Sequence, residues 1–163
     1  MFNQEFAYTI KEEILRGKML CQVAGAIVKN DRGEFLTVVR LKKPEGIAMP
    51  SFHLRSTNKI EAEGDIFRRR LQEELGIEAV NIRRLPELLL FHHSCRYDFP
   101  RFRESMHEWM IFQVLTWNGQ PENRQLEKYK SWQWRAPKEI KSLIVKKHFD
   151  LVWTKIWKRI NPV

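Results

Sequence analysis

The stretch "RRRLQEELGI" (residues 68–77) sets two adjacent carboxylates, Glu73 and Glu74, near the end of an amphipathic segment closed by Gly76. A helix advances about 100° per residue, so positions 70, 73 and 74 fall on one face. Carboxylates grouped in this way suit a hard divalent cation. Magnesium takes oxygen ligands at about 2 Å, from a few carboxylates together with phosphate oxygens and water. Held against a diphosphate, such an ion polarises the phosphoryl group and lowers the pKa of an attacking water. Arg70 breaks the pattern, because a cation stands one turn before Glu74 where a third acid would complete the set. Three readings of Arg70 follow. It forms an i,i+4 ion pair with Glu74 on the surface, typically a few tenths of a kcal/mol. It opposes the metal, since two unit charges about 4 Å apart interact by roughly 4 kcal/mol at an effective dielectric of 20. Or its guanidinium clasps a substrate phosphate directly and takes over part of the metal's task.

These residues need a scaffold, and the pattern along the chain supplies one. An amphipathic N-terminal helix is expected over residues 1–17, with Phe2, Phe6, Ile10 and Ile14 four apart. "MLCQVAGAIV" (19–28) and "FLTVVRL" (35–41) read as strands around the turn "NDRGE" (30–34), a hairpin by composition. Pro44, Gly46 and Pro50 make residues 42–60 a long loop. Helical periodicity then runs from 61 to 76, with Ile66, Leu71 and Leu75 on an inner face and Gly76 as the stop. Strands return at 79–85, 87–95, 107–117 and 130–135, the last with Trp132 and Trp134 on one face. The tail from Pro137 to Ile160 is predicted helical, with Ile144, Phe149, Val152, Trp153, Ile156 and Ile160 as the stripe that docks on the sheet. This order predicts a single α/β domain over 1–163, an α/β/α sandwich around a mixed β-sheet.

With the helix in place, "EAEGDIFRRRLQEELGI" (61–77) resembles the Nudix box: Gly, five residues, Glu, seven residues, then Arg-Glu-U-x-Glu-Glu-x-Gly-U, where U is aliphatic. Glu61, Arg69, Leu71, Glu73, Glu74, Gly76 and Ile77 fall in register. A looser likeness extends over residues 18–135 through strand order and the pairing of Glu127 with Trp132. The resemblance implies an α/β/α sandwich and a pyrophosphohydrolase that uses Mg2+ (or Mn2+) to cleave a nucleoside diphosphate linked to another group. It implies Glu73 and Glu74 as metal ligands and catalytic carboxylates, and Arg69 as the brace of loop and helix through an acid. Glu127 is the acid preferred from outside the helix to complete the shell. Arg70, Arg55 and Trp132 are the substrate-binding candidates. Two departures stand out. The initial Gly of the pattern falls on Arg55 within "MPSFHLR" (49–55), in a loop longer than the family's, and Arg70 replaces a Glu that commonly ligates the metal.

The remaining signals bound the function. Of 163 residues, 43% are hydrophobic and 12% aromatic, enough for a packed core, and the formal net charge of +9 favours anionic partners. Cys21 and Cys95 form no spaced motif, which suits a reduced, cytoplasmic protein. No apolar run has the length of a membrane span, and no basic and apolar leader is evident. His92 and His93 in "FHHSC" alternate across a strand and so argue against a shared zinc, and His107 and Glu108 split in the same way. Trp109, Trp117, Trp132 and Trp134 offer faces for a nucleobase, although such residues more often fill a core. "RRR" (68–70) and "KK" (146–147) are too short for a nucleic-acid motif. The expected partner is a nucleotide-like small molecule and not a membrane, with nucleic acid disfavoured but left open, as is a homodimer. Two function classes stand: a metal-dependent hydrolase weakened by Arg70, and a catalytically inactive module of the same fold that binds a nucleotide or an acidic partner.

Overall fold

The computed structural model describes residues 21–41, 46–54, 62–86, 89–93 and 105–161. The expected N-terminal helix, Arg55, Glu61 and Cys95 lie outside them. Among the described residues eight strands and three helices follow in order: β1 (Cys21–Val28), β2 (Phe35–Arg40), β3 (Gly46–Ala48), β4 (Ser51–His53), α1 (Glu63–Leu75), β5 (Ile77–Arg84), β6 (Leu89–His93), β7 (Ser105–Gly119), β8 (Tyr129–Arg135), α2 (Pro137–Val145) and α3 (Leu151–Ile160).

β7 is the spine of a five-stranded mixed sheet. One edge of it runs parallel to β1, from Cys21 opposite His107 to Val28 opposite Val114. Its other edge takes β6 and then β5, both antiparallel, and β4 closes the far side of β1. A second, antiparallel sheet has the order β3-β2-β8. Alternation along β1 divides the core. Ala24, Ala26 and Val28 join Phe67, Leu71 and Leu75 of α1 on one face, with Met110 and Phe112 of β7. Val23 and Ile27 join Trp153, Ile156 and Trp157 of α3 on the other, with Trp109 and Ile111 of β7. A strand exposing successive side chains to opposite faces, both covered, gives the layered sandwich expected from the sequence. Among the described residues no helix is long and apolar enough to cross a membrane.

Three local expectations are corrected. The hairpin of β1 and β2 is a turn without a shared ladder. Asn30 Oδ1 accepts from the backbone N–H groups of Arg32 and Glu34, Gly33 takes φ +75°, and Lys29 bridges Phe35. Beyond that bridge the strands part, because both edges of β1 are taken by β7 and β4 and both edges of β2 by β3 and β8. The loop 42–60 contains two short strands, β3 and β4. The single tail helix is two. Lys147 adopts φ +59°, the Asp150 N–H donates to Ile47 O at 2.8 Å, and Phe149 bridges Ile47. Anchoring Phe149 in the core against β3 interrupts the helical ladder, and Asp150 restarts it as the N-cap of α3 by accepting from Trp153 N at 2.9 Å.

Candidate functional site

α1 turns its apolar stripe, Ile66, Phe67, Leu71 and Leu75, onto the sheet, and Glu74 falls within that stripe. Its side chain is 3% exposed. Gly76 ends the helix at φ +68°, with its N–H on Gln72 O. The loop after β7 then satisfies the carbonyls left open at that end, which would otherwise lack partners. Glu122 N donates to Leu75 O, Arg124 N to Glu74 O, and Arg124 Nη1 to Gln72 O. Asn123 holds the next turn by accepting from Gln125 N and donating to Tyr129 O.

This stitching delivers two side chains to Glu74. Lys128 Nζ and Tyr129 OH each lie 2.8 Å from Glu74 Oε2, and Arg70 Nη2 lies 3.0 Å from Oε1. Lys128 Nζ also donates to Ser51 O at 3.0 Å and stands over the rings of Phe52 and Tyr129. Burial pushes the Lys128 ammonium below its ordinary range, the charge and hydrogen bond of Glu74 oppose that shift, and Arg70 and Arg40 add to it. Burial first, and then the charge of Glu74, hold the Tyr129 phenol well above its ordinary range, so it stays protonated and donates. Nearby, Arg40 pairs with the buried Asp150 at 3.5 Å.

The other expected residues are arranged as follows. Arg69 pairs with Glu73 at 3.4 Å across one turn, on the open face of the helix. Glu127 is exposed, and it is its neighbour Lys128 that reaches Glu74. Trp132 is half-buried, set edge-on to Trp134 and packed against the core on the α1 side. Trp117 stacks on Trp134 at 5.9 Å, and Trp109 lies in the core beside Trp153. The Arg70–Glu74 pair expected on the surface exists, but its acid is buried. Reasoning from sequence missed Lys128 and Tyr129. The available signal was an acid in register with Phe67 and Leu71, which demands a buried counter-charge, and a Lys-Tyr pair opening a strand.

Whether these residues fit a divalent cation is decided at Glu74. Both of its oxygens are engaged by positive groups, and an ion approaching them meets two unit charges of its own sign. Among the described residues no three His, Cys, Asp or Glu side chains converge, and Glu61 lies outside them. In this arrangement the donors among the described residues do not fit Mg2+ or Mn2+.

Comparison with known proteins agrees with the architecture. The family model described as NUDIX domain matches residues 19–153. Among solved structures, the MutT protein of Methanosarcina mazei Go1 superposes with a TM-score of 0.65 at 15% identity, covering 87% of this chain and 93% of that one. The E. coli ORF135 protein gives 0.60 at 16%, covering 91% and 97%. The NUDIX domain of Shewanella oneidensis NrtR, complexed with ADP ribose, gives 0.58 at 14%, covering 87% and 88%. No curated protein matches the chain by sequence.

Proposed function

The chain belongs to the Nudix family, and from that premise we propose that it recognises a nucleoside diphosphate linked to a further group and binds it without efficient cleavage. One observation carries this reading: Arg70 and Lys128 occupy both oxygens of Glu74, the carboxylate that a Nudix hydrolase would present to its metal. Ligand class follows from the family and from the ADP-ribose bound by the NrtR domain. A cytoplasmic setting accompanies it, in keeping with two cysteines that form no motif.

The second reading is the family's own, a Mg2+-dependent pyrophosphohydrolase. It is favoured by the register of Glu61, Arg69, Glu73 and Glu74 with the pattern of the Nudix box. The two readings separate when ADP-ribose and a panel of nucleoside diphosphate derivatives are titrated calorimetrically and assayed for product with Mg2+ and Mn2+. Saturable binding with product at background is expected. Multiple turnovers that need the metal and disappear in Glu74→Gln establish the hydrolase instead. Absence of binding across the panel removes the proposed ligand class.

A further inference from the structure

We infer that Lys128 and Arg70 together form a metal-free clasp for a diphosphate, with Glu74 as the residue that positions both. The inference rests on the ligand class proposed above and adds which side chains hold the ligand and that no divalent ion is required. Glu74 is 3% exposed, whereas Arg70 and Lys128 are 29% and 27% exposed. A ligand approaching from solvent therefore meets the Arg70 and Lys128 side chains before the carboxylate between them.

The two heads together carry the charge of one divalent cation and sit on one acid, 3.0 Å and 2.8 Å from its two oxygens. Donor capacity remains on both. An ammonium has three N–H donors, and Lys128 spends two, on Ser51 O and Glu74 Oε2. Guanidinium has five: Arg70 turns Nη2 to Glu74, its Nε is buried without an acceptor, and the other Nη donors are the ones a ligand can take. Their placement is fixed before any ligand arrives. Tyr129 OH holds the carboxylate, Ser51 O and the Phe52 ring hold the ammonium, and little ordering is left to oppose binding. Arg40 adds a third cation to the neighbourhood. With Glu74 and Asp150 as the acids, three cations face two anions, a local charge of +1 before a ligand binds. A diphosphate oxygen on Lys128 and another on Arg70 make charge-assisted hydrogen bonds, the stronger class.

The test is calorimetric titration of full-length protein with ADP-ribose and with inorganic pyrophosphate, in EDTA and again in Mg2+. Saturable binding in EDTA that weakens as salt rises is expected, because exposed charges are screened. Lys128→Gln should weaken it about tenfold or more, the loss of one charge-assisted hydrogen bond. Circular dichroism checks that this variant is folded. If it is not, Arg70→Gln, on the more open side of the pair, is read in the same way and should give a similar loss. Wild-type binding that appears only with Mg2+ overturns the clasp but leaves the ligand class standing. A folded variant that binds as tightly as wild type also overturns it. No binding of either probe in any condition ends both readings.

Discussion

At the scale of single residues, the chemistry turns on which charge stands one helical turn before Glu74. Glutamate there would add an oxygen donor beside Glu74, whereas Arg70 adds a cation bonded to it at 3.0 Å. Arg70→Glu removes one of the two positive groups and leaves Lys128 and Tyr129 on the other oxygen. The site then holds two carboxylates against one ammonium. Affinity for Mg2+ should rise by about tenfold or more, since ligand number and charge set the affinity of hard cations. Calorimetric titration of Mg2+ into both forms measures it. Faster turnover accompanying tighter metal marks the wild type as a weakened hydrolase. Tighter metal with collapsed ADP-ribose affinity marks Arg70 as the clasp. Unchanged metal affinity removes Arg70 as the cause and shifts attention to Lys128, which the substitution leaves in place.

Among the elements, the junction of α2 and α3 matters most for the second sheet. Asp150 has a 5% exposed side chain, caps α3 through Trp153 N, and pairs with Arg40 at the end of β2. One carboxylate thus ties the helix that covers the large sheet to a strand of the small one. Asp150→Ala loses the cap, typically about 1 kcal/mol, and leaves Arg40 without its partner. A total loss of about 1–3 kcal/mol is expected. Urea denaturation should show a lower midpoint with an unchanged slope. A midpoint equal to wild type means that α3 is held by its apolar stripe alone.

For the molecule as a whole, a close fit joins the large sheet to α3. Gly25 faces this side, and a Cβ built there lies 2.7 Å from both Ile111 Cδ1 and Trp153 Cη2. Trp153 is fully buried and cannot retreat without moving the helix. Gly25→Ala should therefore destabilise by about 1–3 kcal/mol, the usual range for an overpacked core. A lower Tm and an altered near-ultraviolet signal from the tryptophans report it. An unchanged Tm would show that α3 adjusts freely over the sheet, contrary to the packing described.

Local order was legible in the chain from the start. Ile66, Leu71 and Leu75 declared the inner face of α1, Gly76 its end, and the apolar run 19–28 a strand, because period and cap chemistry act between near neighbours. The Arg70–Glu74 pair was legible for the same reason. The partners on the other oxygen of Glu74 were not, since Lys128 and Tyr129 come from 54 and 55 residues away. Sequence favoured Glu127 there. The loop stitched to the end of α1 instead brings in Lys128, one residue on, and so reverses the sign of the charge that Glu74 meets. The separate sheet of β2 and the break at Phe149 were settled in the same way, by strand edges and core space already taken by residues far along the chain. Sequence alone determined the elements and the acid-bearing helix end. Tertiary structure decided that the acid is buried and neutralised, because only packing sets which distant side chains share its surroundings.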